Sequence, residues 1–145
     1  MKKIFFFAAA CAAMLTSCSD DDSSSSGGSN APLSVKVNGT LKKFSNVEVE
    51  LEGQRVYVVA MSTNHSEILS FETDLGYTGD GYVFYVQYVK DNTIYWEGEN
   101  TTSNVEVNTE NRLKGTFGAT VESYNDNGDV DETLTLTNGK FDLPY

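Results

Sequence analysis

The sequence predicts an all-β domain, an antiparallel meander folded into a β-sandwich or a flattened, partly open barrel. Three observations carry this. Apolar and polar residues alternate with period two through much of the chain after Leu33, the pattern of half-buried strands. β-branched and aromatic residues are abundant, and no window sustains a helical period. Asn-Gly dipeptides recur at 38–39, 127–128 and 138–139, and such pairs tolerate the positive φ angles of tight hairpins.

The domain is not predicted to begin at Met1. Lys2 and Lys3 precede an apolar run over residues 4–15. That run is too short to cross a bilayer, which needs about 20 apolar residues, so residues 1–17 read as a secretory leader. Leu15-Thr16-Ser17-Cys18 resembles a bacterial lipobox. The resemblance implies cleavage before Cys18 and acylation of its sulfur, hence a membrane partner. One acyl chain binds membranes marginally and two or more bind stably. Cys11 lies inside the leader and leaves with it. The processed chain would then carry no free thiol and no disulfide, which excludes redox and cysteine–metal chemistry.

Residues 18–32 hold the lipidated Cys18 and a tether of Asp, Ser and Gly with nothing apolar to bury. Such a segment is expected to stay disordered, with a reach of roughly 20 Å for about 14 residues. Its acidic run close behind Cys18 resembles the surface-export signal of Bacteroidetes lipoproteins. The alternative is a solvated linker whose charges repel an anionic membrane. Ser19 follows the cysteine directly, which does not resemble an inner-membrane retention signal. Together these resemblances imply a lipid-anchored protein of the outer membrane facing the cell surface.

Residues 33–145 form the predicted single all-β domain. Strands are expected near 33–37, 40–44, 47–52, 56–62, 67–74, 82–89, 93–97, 103–109, 112–124, 130–137 and 140–144. Val47, Val49 and Leu51 alternate with Glu48, Glu50 and Glu52. Leu113, Phe117, Ala119 and Val121 share one parity, and Val105 and Val107 flank Glu106. Phe117, Phe141, Val86 and Leu136 are expected in the core, since each sits on the apolar parity of its strand. Residues 82–89 break the alternation, being apolar or aromatic on both faces. They predict a central strand covered on both sides; the other reading is a partly exposed aromatic platform.

The segments Val35-Lys36-Val37-Asn38-Gly39, Leu113-Lys114-Gly115-Thr116-Phe117 and Leu136-Thr137-Asn138-Gly139-Lys140-Phe141 resemble an uncharacterised family of Bacteroidetes surface lipoproteins, a domain of unknown function. The family shows a Gly-Thr-Phe strand and a closing Thr-Asn-Gly-x-Phe strand. The resemblance implies an all-β surface domain and brings no catalytic residues with it.

Charge and chemistry narrow the function further. The formal net charge is −11, and loss of the two leader lysines takes it to about −13. The remaining Lys and Arg are scattered, which excludes nucleic acid as a partner. His65 is the only histidine and lies in the polar stretch 62–66. A zinc site or a catalytic triad would need more. Asp126, Asp129 and Asp131 offer oxygen ligands for calcium, but no Glu closes the loop and a hairpin explains Asn127-Gly128. No metal, no cofactor and no enzymatic activity are therefore expected. Tyr77, Tyr82, Tyr85, Tyr95 and Trp96 are the candidate binding residues, because aromatic clusters on a sheet can stack on sugar rings. Tyr95 and Trp96 point to opposite faces of one strand, and Trp96 is expected in the core with Tyr95 at its rim. Two functions remain. A structural or interaction-type envelope lipoprotein predicts scattered, mostly buried aromatics. A surface module binding glycan or a protein partner predicts a contiguous exposed aromatic patch.

Overall fold

The computed structural model describes residues 31–145. Cys18, the leader and all but the end of the tether lie outside the described residues.

The domain is all-β. Eleven strands follow one another: β1 (Leu33–Val37), β2 (Thr40–Phe44), β3 (Asn46–Glu52), β4 (Arg55–Met61), β5 (Glu67–Asp74), β6 (Gly79–Asp80), β7 (Phe84–Lys90), β8 (Thr93–Glu97), β9 (Thr102–Thr109), β10 (Arg112–Tyr124) and β11 (Val130–Pro144). They form one antiparallel sheet in which nine strands run in the order β2-β1-β11-β10-β8-β7-β5-β4-β3, with β9 paired to β10 and β6 to β9 off that path. The sheet curls into a nearly closed barrel, the second of the two predicted architectures. Its edges, β2 and β3, are consecutive in the chain yet do not pair, which leaves one unsealed seam. Inside the barrel, Lys42 Nζ meets Glu67 Oε1 at 2.6 Å and joins β2 on one side of the seam to β5 on the other. The long β10 pairs β9 along its first half and β8 near its end, so β9 and β8 share one edge.

Local chemistry accounts for the turns. Asn38 (φ +46°) and Gly39 (φ +81°) make a two-residue hairpin between paired Val37 and Thr40, as the dipeptide predicts. Asp91 and Asn92 do the same between Lys90 and Thr93, at φ +50° and +67°. That turn has no glycine, so the sequence carries only a faint signal of it.

Three expectations are corrected. Asn138-Gly139 is not a hairpin. β11 runs straight through it, and Asn138 (φ +53°) sits in a bulge where Thr137 and Asn138 face Gly118 alone. Gly139 is needed because a β-carbon there would overlap the Phe117 ring. Second, Val105 and Val107 do not share a face. A bulge at Glu106 takes up one residue, and the inward positions become Val105 and Asn108. The Asn108 amide nitrogen donates to the carbonyls of Asp74 (2.8 Å) and Tyr77 (3.0 Å), while its Oδ1 is buried without a partner. Third, β7 is covered on its inner face only, and its outer face meets solvent at Tyr85.

The core fills the barrel. Phe117, Phe141, Val86 and Leu136 are all buried, as their parity predicts. Phe71 packs against Phe117 and Phe141, with ring centroids 5.5 and 5.2 Å apart. Among the described residues, no helix is long and apolar enough to cross a membrane.

Candidate functional site

The aromatic side chains divide differently from the expectation. Tyr95 is the core residue, 3% exposed, and Trp96 faces out, 53% exposed. The inward place falls to Tyr95 because its ring packs beside Tyr88 (centroids 6.2 Å apart) while its hydroxyl reaches Glu132 Oε2 at 2.5 Å. A buried phenol with its polar end satisfied is a stable arrangement. Parity then sends Trp96 outward.

On the outer face, register places Val59, Ser70, Gln87, Trp96 and Glu122 in one row across β4, β5, β7, β8 and β10. Beside this row the sheet is irregular. Ser70 pairs Gln87 and Glu72 pairs Phe84, so Tyr85 and Val86 together stand opposite Phe71. Tyr85 adopts φ +53° in this bulge, a position that favours glycine. Holding an aromatic residue there costs of order 1–3 kcal/mol. The bulge swings Tyr85 outward, where it is 65% exposed.

Tyr85 and Trp96 line the same groove, about 520 Å³ in volume, with Ser70, Glu72, Val86, Gln87, Glu97 and Gly98. Tyr85 is backed edge-on by Phe84, centroids 5.5 Å apart. Arg55 lies over Phe84, its guanidinium 4.7 Å from the ring centroid. Arg55 is itself held by Glu72 at 2.6 Å and Asp74 at 3.0 Å. The groove therefore presents two aromatic rings, a carboxamide, a hydroxyl and carboxylates. A separate, wider trough lined by Thr102, Thr116, Thr120, Thr135 and Thr137 lies beside it. The two adjoin where the Gly98 amide donates to the Thr120 carbonyl at 2.8 Å.

The other predicted residues lie apart. Tyr77 packs on Tyr82, centroids 5.3 Å apart, and does not line the groove. Asp126, Asp129 and Asp131 sit at or beside the β10–β11 turn, where Asn125 Oδ1 accepts from the amides of Asn127 (2.9 Å) and Asp129 (3.1 Å). Among the described residues, no three His, Cys, Asp or Glu side chains converge to hold a metal ion. His65 is exposed in the turn that its amide closes onto the Ser62 carbonyl at 2.9 Å. Glu97, Gln87 and Glu72 were not singled out in the sequence. Gln87 lies within the aromatic run of residues 82–89, and Glu72 and Glu97 carry no signal of their own in the sequence.

A comparison with models of known protein families gives no match, and neither does a comparison with curated protein sequences. The resemblance to surface lipoproteins rests on the residues quoted above.

Proposed function

We propose that this is a glycan-recognition domain carried by a lipid-anchored envelope protein, with the Trp96–Tyr85 groove as its binding site. The observation that carries the reading is the pair of solvent-facing aromatic rings lining one groove with Gln87, Ser70, Glu72 and Glu97. The C–H face of a pyranose packs on an aromatic face, while carboxylates and carboxamides bond its hydroxyls. The bulge under Tyr85 supports this further, since strained backbone clusters at functional sites. Glu72, Glu97 and Glu122 around the groove favour neutral or amino sugars over sulfated or uronic ones. The threonine trough beside the groove favours an oligosaccharide over a single sugar. Acylation at Cys18, with export to the outer surface, would hold the groove where such glycans lie. The reading includes no catalytic step and no cofactor.

One observation favours a protein partner instead. Met61, Ile68, Val89 and Ile94 form a second registered row beside the groove, apolar throughout, and apolar patches on the surface mark interaction sites.

Calorimetry with neutral oligosaccharides of increasing length separates the two. The glycan reading expects affinity that rises with chain length and is lost in Trp96→Ala, with the melting temperature nearly unchanged. Absence of binding to any neutral or amino-sugar oligomer would leave the apolar row as the better guide. Mass spectrometry of the processed N-terminus tests the anchor, which requires acylated Cys18.

A further inference from the structure

We infer that the open end of the barrel is a second binding site, taking a small zwitterion of amino-acid size. The site lies on the inner face of the sheet, away from the Trp96 groove, and does not depend on the glycan reading. It is a cavity of about 210 Å³ lined by Val37, Lys42, Glu67, Tyr88, Glu132 and Leu134, with Lys90 at its rim. A cavity of about 150 Å³ suffices for benzene, so this one accommodates a somewhat larger molecule.

Its floor carries an unmet demand. Tyr88 is fully buried, and its hydroxyl makes no hydrogen bond. An unpaired buried polar group is rare in native proteins. Burial foremost, then the charge of nearby Glu67 and the approach of the hydroxyl to its carboxylate, which falls short of hydrogen-bond geometry, push the phenol's pKa up. The group therefore stays protonated and acts as a donor in want of an acceptor. Glu67 does not fill that role with good geometry, and one of its oxygens is taken by Lys42 at 2.6 Å.

The rim decides the ligand's charge. Lys90 stands opposite Glu67 in the β5–β7 ladder, and Glu132 accepts from Tyr95 at 2.5 Å. Two cations and two anions thus surround one small space. A simple anion would gain from Lys42 and Lys90 but meet Glu67 and Glu132, and a simple cation the reverse. A zwitterion satisfies both: its carboxylate accepts from Tyr88 and the lysines, and its ammonium donates to the glutamates. Val37 and Leu134 offer apolar surface to a short side chain.

The test uses L-valine beside isobutylamine and isovalerate, which keep its side chain but only one of its charges. Calorimetry should show valine binding and both analogues binding at least about tenfold more weakly. Tyr88→Phe should weaken valine about tenfold, the loss of one buried hydrogen bond. Lys90→Ala, at the exposed rim where folding is not at stake, should weaken it too. Trp96→Ala should leave valine binding intact, so failure of the groove and failure of this site remain distinguishable. No heat with any of the three compounds would overturn the proposal, as would equal binding of valine and either analogue, or valine affinity unchanged in both variants.

Discussion

The backbone amide of Val86 donates to Glu97 Oε2 at 3.3 Å, which ties the bulge under Tyr85 to the strand that carries Trp96. The bond lies one residue beyond the last registered pair of the β7–β8 ladder, Gln87 opposite Trp96. A side chain thus continues the ladder where the backbone register ends, and it fixes the two aromatic rings relative to one another. Glu97→Ala should cost about 1 kcal/mol of stability and raise the hydrogen-exchange rate of the Val86 amide. Glu97→Gln keeps an accepting oxygen and should restore most of the protection. Unchanged exchange in Glu97→Ala would show that the bulge does not depend on this bond.

Tyr85 offers a test of whether its strained backbone serves binding. Tyr85→Gly removes the side chain from a left-handed position that glycine adopts freely. The variant should be about as stable as the parent or more so, by up to ~1 kcal/mol, while losing affinity for the glycan. Urea denaturation reads the first and calorimetry the second. A marked loss of stability would mean that Tyr85 contributes packing which outweighs its strain.

Alkaline pH should unfold the domain through two inward phenols. The hydrogen bond to Glu132, with burial second, pushes the Tyr95 pKa up to about 12, and burial raises that of Tyr88. A tyrosine of the unfolded chain ionises near 10. The folded values lie above the unfolded one, so the contribution is fully present below about pH 10. It is lost as pH rises from there toward 12. Melting temperatures followed across this range should fall, and Tyr95→Phe should make the fall shallower. A profile identical in Tyr95→Phe would contradict the assignment.

Much of the fold was legible because parity reports burial directly. In β10 the inward set Leu113, Phe117, Ala119 and Val121 is the set that alternation selects. The Asn38-Gly39 hairpin was legible because its φ angles demand those residues. Asn138-Gly139 misled for the same reason: a bulge asks for the same backbone as a turn. What tells them apart is the Phe117 ring against Gly139, a contact between distant strands. The bulge at Glu106 left no mark in composition, and it moved every later residue of β9 to the other face. At the candidate site, alternation showed that Tyr95 and Trp96 diverge but not which one faces the core. That choice depends on Glu132 standing within reach of the Tyr95 hydroxyl, which only the register of the assembled sheet determines.

The most direct test of the groove is fluorescence, because Trp96 is the chain's single tryptophan and reports on this site alone. Titration with a neutral cell-surface oligosaccharide should shift Trp96 emission to shorter wavelength and saturate, as the exposed indole becomes covered by a sugar ring. Acrylamide quenching should fall along the same curve, and Tyr85→Gly should move the midpoint to higher concentration. Emission and quenching that stay constant through a panel of neutral and amino-sugar oligomers would contradict the glycan-recognition reading.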